Sequence, residues 1–294
     1  MTDLFIGVVS HATSRFASNC GPDGFAHRLS VRLALEGMDC SIVVNTRDDH
    51  DPVAIPVTAT VVDDSLDATF RLEKQWADYL AAGGGRRSGP WVGIVTRLRS
   101  ARAHRRARRP VDGAAGVTRG TRMVERLINI ELSHLHLLRT GVRSQAPWIL
   151  ILEDDAGCLD IEDCAAGVHA LLTDPVGPAY VNLSRSFSPS ALGIDGLLTE
   201  SGTLRWQGHE SRRVLAASRP VTNTVCAIAY RREFAVRLVA ELEAMPMTPV
   251  VPIDWKLNAA LMSMFEAGWV GCGDCWLVEP APIIQMSMHG TSGP

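Results

Sequence analysis

Trp148-Ile149-Leu150-Ile151-Leu152 is apolar at every position, and the run stops abruptly at Glu153-Asp154-Asp155. A strand that is apolar on both faces needs cover on both, so it belongs in the middle of a sheet with helices on each side. The start of the chain has the same character. Leu4 to Val9 is an apolar run broken only by Gly7, and a polar loop follows from Ser10 to Asp23. Phe25, Leu29, Leu33 and Leu35 then recur at roughly helical spacing as far as Gly37, and a second apolar run covers 40–44. Strand, loop, helix, strand opens an α/β domain with a mostly parallel central sheet. With 294 residues, 46% of them apolar, and a net charge of only -3, the chain can bury a large core and is not a disordered one.

Later segments extend the pattern. Met123, Leu127, Ile130, His134 and Leu137 are spaced four, three, four and three, which predicts a helix over 121–140 with these residues on one face. Helices are also expected over 66–80, ended by Gly83-Gly84-Gly85, and over 160–172, with Asp160 at its start and Asp163 as an approximate capping partner. Two more are expected over 233–242 and from about Asp254, the last with a Leu257, Leu261, Met264 and Phe265 stripe. Strands are expected at 91–96, 180–183, 204–206 and 222–230. No repeat or linker divides the chain, so 1–294 reads as one domain.

No apolar run approaches the roughly 18 uncharged residues of a spanning helix, and the N-terminus lacks the features of a signal peptide. A cytoplasmic location is the expectation. The seven cysteines, an odd number, suit a reducing compartment. Cys272 and Cys275 form one C-x-x-C, and Cys158 with Cys164 is a poorly spaced second pair for zinc. No phosphate-binding glycine motif is present. Between Arg97 and Arg109 lie seven arginines in thirteen positions. With no aromatic residue interleaved and an acidic chain around it, this patch does not point to nucleic acid. It reads as a mobile solvated segment or as a peripheral, salt-reversible contact with an anionic membrane at the inner face.

The acids that end the apolar strand carry the chemistry. In open α/β sheets ligands bind beyond the carboxyl ends of the strands. Three adjacent carboxylates repel one another there and need compensation, which a hard divalent cation supplies. Glu153 and Asp155 share a side if the backbone stays extended. Magnesium or manganese held by one or two carboxylates keeps positions open for phosphate oxygens, as a nucleoside-diphosphate donor requires. The alternative is a solvated strand end followed by a turn.

The segment 148–156, with Leu-Glu-Asp-Asp-Ala, resembles the strand and metal motif of glycosyltransferase family 25, which includes bacterial lipooligosaccharide galactosyltransferases and relatives of collagen galactosyltransferases. Leu132-Ser133-His134-Leu135 is similar to that family's Ser-His-Leu motif. Pro252-Ile253-Asp254-Trp255 resembles its step into a helix, and Pro282-Ile283-Ile284-Gln285 its closing strand. These matches span about 120–290; the N-terminal part, Gly7-Val8-Val9-Ser10-His11, departs from the family's opening pattern. The resemblance implies a single-domain GT-A fold of Rossmann-like character, a nucleotide-binding half over 1–118, and metal and acceptor functions over 120–294. It also implies a nucleotide-sugar donor, a UDP-hexose, and a glycan or glycolipid acceptor.

Under that resemblance Glu153 and Asp155 become metal ligands, and Asp154 lies in the donor site with them. His289, just after the last strand, is either a third ligand or an exposed tail histidine. Asp254 suits the general base of an inverting transferase, and it would equally suit a helix N-cap. Ser133 and His134 either line the donor site or sit in the core. His11 and Arg15, in the loop after the first strand, either reach the nucleotide or are solvated. The function expected is a metal-dependent hexosyltransferase. The alternatives are a nucleotidyltransferase or nucleotide-sugar hydrolase, and a degenerate, non-catalytic binding protein.

Overall fold

A computed structural model of the chain describes residues 3–11, 14–47, 115–175, 177–186, 189, 195–204, 212–218, 222, 224–245, 252–271 and 273–288. The expected helix at 66–80, the triple glycine, the strand at 91–96 and the arginine segment lie outside these residues. In chain order the elements are β1 (Leu4–Val9), α1 (Phe25–Leu35), β2 (Cys40–Asn45), α2 (Ala115–Ser144), β3 (Trp148–Glu153), β4 (Ala156–Gly157), α3 (Ile161–Thr173) and β5 (Tyr180–Asn182). There follow β6 (Ser184–Arg185), β7 (Leu198–Leu204), β8 (Arg212–Ala217), β9 (Ala227–Arg231), α4 (Arg232–Ala244), α5 (Ile253–Glu266), β10 (Cys275–Glu279) and β11 (Ile283–Gln285).

The fold is α/β. An eight-stranded sheet has the order β2-β1-β3-β9-β5-β10-β8-β7. It is mixed: β1 pairs in parallel with β2 and β3, and β5 with β10, whereas β9 and β8 run against all their neighbours. β3 lies inside the sheet, between β1 and β9, and its two faces are buried in different cores. Ile149 and Ile151 join Phe5, Leu137, Leu238 and Leu261 on the side of α2, α4 and α5. Trp148, Leu150 and Leu152 join Leu4, Ile6, Leu29 and Val168 on the side of α1 and α3. The unbroken apolar run is thus explained by helices on both faces.

Glycine lets α2 approach this sheet closely. A Cβ at Gly141 would sit 2.7 Å from Ile149 Cγ2 and 2.8 Å from a ring carbon of Phe5. The single stripe expected on this helix is too narrow, since Ile128, Asn129, Ser133, His134, Leu135, Leu137 and Leu138 are all buried. The cause is a second layer behind it, marked by Arg139 to Glu243 of α4 at 2.6 Å and by a Lys256 to Glu131 ion pair from α5.

Other expectations need small corrections. Leu35 is 72% exposed, because it lies two residues, about 200° of helix, from the buried Leu33. Gly37 (φ 87°) does end α1, and Met38 N–H donates to Leu33 O at 2.9 Å. Asp160 caps α3 by accepting from the N–H groups of Glu162 and Asp163. The Asp163 side chain does not return to the cap; it pairs with buried Arg212. The strand expected at 222–230 is β9 alone, since Thr222 and Thr224 enter a side-chain network instead of a ladder. Of the strand expected at 204–206, Leu204 is the end of β7, and 205 and 206 lie outside the described residues. Among the described residues no helix is long and apolar enough to cross a membrane.

A second, three-stranded sheet, β4-β11-β6, stands at the carboxyl end of β3. It pairs Gln285 with Ala156 and Ile284 with Gly157, which brings the C-terminal strand against the acid turn.

Candidate functional site: an acid turn in a cationic cleft

β3 ends at Glu153, and the chain turns through Asp154 and Asp155 before β4. Three distant segments hold the turn. From the β1 side, Asp154 N–H donates to Val9 O at 3.0 Å, and Ser10 Oγ donates to Asp154 Oδ2 at 2.8 Å. Asn19 donates its side-chain amide to the carbonyls of Asp154 and Ala156 at 2.8 and 2.7 Å, while its Oδ1 accepts from Phe25 N–H at the start of α1 at 2.9 Å. From the C-terminal side, Met286 N–H donates to Asp155 O at 2.8 Å and Ser287 Oγ donates to Asp155 Oδ2. A turn that would otherwise leave carbonyls unpaired beside the core has each of these groups satisfied.

The extended geometry expected for 153–155 gives way to this turn, yet Glu153 and Asp155 still converge. Glu153 continues the Ile149, Ile151 side of β3 toward α2; Asp155 is 7% exposed. Their oxygens and the Cys226 sulfur lie within 4.8 Å of one another. Burial, and then the Glu153 charge, hold the Asp155 carboxyl above the usual carboxylate range, with Ser287 and Gln285 hydrogen bonds working the other way. Burial and the same two acids push the Cys226 thiol well above its ordinary value. Cys226 is therefore a neutral S–H, 3.9 Å from Asp155 Oδ1, and stands as a neighbour to the acids more than as a hard-cation ligand.

A cleft of about 510 Å³ opens over the acids. Glu153, Asp154 and Asp155 line it together with His11, Arg15 and Ser133, so six residues singled out from the sequence meet in one place. Arg15 is exposed, its guanidinium carbon 4.7 Å from the centre of the Phe16 ring. Arg126 of α2, also exposed, lines the same cleft and supplies a second cation. The result is one cleft lined by three acids and two arginines, a set that suits an anion bridged to the acids by a divalent cation. The donor set fits such an ion: two converging carboxylates, one of them destabilised by its neighbour's charge, with open space above for phosphate oxygens.

The remaining sequence candidates lie elsewhere. His134 is 5% exposed and sits behind Glu153, its Nε2 3.8 Å from Glu153 Oε1 and without a hydrogen-bond partner. It belongs to the support of the acids and does not line the cleft. Asp254 is in the first turn of α5, half-buried, and is not among the residues lining the cleft. It is also not the helix cap: Pro252 holds that position, so Asp254 meets the helix dipole from inside the first turn. His289 and Cys272 lie outside the described residues.

Sequence reasoning missed Arg126, Asn19, Cys226, Gln285 and Ser287. Arg126 was within reach, since 126, 130 and 133 fall on one helical face and all three line the cleft. Asn19 and Ser287 act across 135 and 132 residues, and no local pattern announces such contacts. No protein-family model matches the chain, and no curated protein matches it significantly.

Proposed function

We propose that this chain is a metal-dependent glycosyltransferase of GT-A type, inverting, that transfers a hexose from a UDP-sugar to a glycan or glycolipid hydroxyl. The observation that carries the reading is the convergence of Glu153 and Asp155 at the carboxyl end of an interior strand, together with Arg15 and Arg126, in a cleft large enough for a nucleotide. The resemblance of 148–156 to the family 25 motif supports it, as does an α/β sheet whose β1 loop borders the same cleft.

Glu153 and Asp155 would hold Mn²⁺ or Mg²⁺, with His289 as a further candidate ligand; when bound, the ion neutralises negative charge on the departing diphosphate. Arg15 and Arg126 orient the diphosphate by charge-assisted hydrogen bonds, and His11 borders the same end of the cleft. Ser10 donates to Asp154, which borders the donor site beside the Glu153 and Asp155 pair. Ser133 offers a hydroxyl to the donor. Asp254 accepts the proton of the acceptor hydroxyl as it attacks the anomeric carbon.

A thermal-shift screen of nucleotide sugars with and without Mn²⁺ tests the reading. A donor at a hundred times its dissociation constant adds about 2.7 kcal/mol of stability, and this should require the metal. Donor hydrolysis that ignores every acceptor would favour a hydrolase, and failure to bind any nucleotide would favour a non-catalytic binding protein.

A further inference from the structure

Gln285 lines the cleft and stands next to Asp155 in a series of hydrogen bonds that reaches α5 through residues 222 and 224. Its side chain bonds Asp155. Its Oε1 accepts from Ser186 Oγ. Because a carboxylate only accepts, the amide nitrogen must face Asp155, and this agrees with the Ser186 hydroxyl donating to the other end. Ser186 Oγ in turn lies 2.9 Å from Thr224 Oγ1, which therefore donates to it. The hydroxyls of Thr224 and Ser186 and the amide of Gln285 all point their protons toward Asp155, an alignment in which each bond polarises the next.

The chain continues beyond Thr224. Its carbonyl accepts from Thr222 Oγ1 at 2.7 Å and from Asn182 Nδ2 at 3.2 Å. Thr222 N–H donates to Asn258 Oδ1 on α5 at 2.9 Å. Asn182 and Thr222 are 1% and 4% exposed, so these bonds are shielded from water and their geometry is held tightly. Asn258 stands four residues after Asp254, on the same face of α5.

We infer that Gln285 is a positioning residue: it sets the Asp155 carboxylate at one end of a buried polar chain whose other end is the Asp254 face of α5, so that the acid and the helix keep one relative placement. This inference rests on the reading of Asp155 as a cation ligand. It assigns the residues 182, 186, 222 and 224 to orientation of the site and not to contact with substrate. Ser287 also donates to Asp155, at Oδ2.

The test uses Mn²⁺ alone as the probe, followed by electron paramagnetic resonance on the full chain. Gln285→Leu should weaken Mn²⁺ binding by about ten- to a hundredfold, the range for removing a group that orients a ligand, and should broaden the spectrum of the bound ion. Ser186→Ala leaves Gln285 in place but removes the bond that orients it, and should weaken binding by a smaller factor. Ser186→Thr, which keeps the hydroxyl, should restore both the affinity and the spectrum; a merely structural requirement for a small residue would not give this rescue. If the wild-type chain binds Mn²⁺ and Gln285→Leu, or both Ser186 variants, bind it equally well, the inference is overturned while the cation site stands. If the wild-type chain binds no Mn²⁺, the cation reading itself fails.

Discussion

The acid turn and the start of α5 are the two regions that the proposed chemistry needs, and they are built differently. The turn draws its restraints from the β1 strand and loop, Asn19 and the turn after β11, and it opens directly onto the cleft. The start of α5 is tied through Lys256 to Glu131 and Asn258 to Thr222, and Asp254 does not line the cleft. A binding element benefits from rigid preorganisation, because any movement of its oxygens is lost ion affinity. An acceptor-side base has only to reach its proton when both substrates are bound, and such contacts tighten in the complex.

The sharpest separation of the two regions comes from Asp254→Asn. Transfer should fall by about 10²- to 10⁴-fold in steady-state turnover while Mn²⁺ and donor affinities stay at wild-type values. Because Pro252 and not Asp254 holds the cap position, the melting temperature should move little. Unchanged turnover would remove Asp254 from the proposed chemistry.

Arg126→Gln removes one of the two arginines that line the cleft. UDP affinity measured calorimetrically with Mn²⁺ present should drop about tenfold, equivalent to about 1.4 kcal/mol, with Mn²⁺ affinity alone unchanged. A loss of Mn²⁺ binding in this variant would mean that the arginines and the acids are not separable.

Asn19→Ala acts on the restraint of the turn without touching a carboxylate. It unpairs two carbonyls and the first N–H of α1, a cost of about 2–3 kcal/mol, or a fall of about 3–5 °C by differential scanning calorimetry. Wild-type stability in this variant would contradict the account of how the turn is held.

The smallest effect is a pH dependence. The folded chain holds the Asp155 proton more tightly than the unfolded chain does, so this group's contribution to stability is present below the unfolded value of about 3.8. It is lost as pH rises through the raised folded value. Without metal, Asp155→Asn should therefore melt higher than wild type at neutral pH, and the gap should close toward pH about 4. A gap that widens on acidification would reverse the assigned sign.

What was legible in the sequence divides along the same comparison. Glu153, Asp154 and Asp155 are contiguous and follow a run whose apolar character on both faces demands an interior strand, so the position of the acids follows from local pattern alone. His11 and Arg15 follow the same rule through the loop after β1. The helix spacing that singled out Met123 to Leu137 spread too narrowly, because α4 and α5 bury the far side of α2 and that depends on tertiary packing; Ser133 came from the motif resemblance alone. The Gln285 to Asn258 chain is assembled from six residues on four separate segments, through side-chain and backbone groups with no periodic signal. Its members are ordinary Ser, Thr, Asn and Gln until the sheet brings them together.

The central claim is that Glu153 and Asp155 hold a divalent cation through which the cleft takes a nucleoside diphosphate. Titration calorimetry of UDP into the wild-type chain and into Asp155→Ala, each with Mn²⁺ and with chelator, tests it directly. The account predicts binding by the wild-type chain with Mn²⁺ only, and none by Asp155→Ala in either condition. UDP binding that survives the chelator unchanged, or that is equal in the two chains, would contradict it.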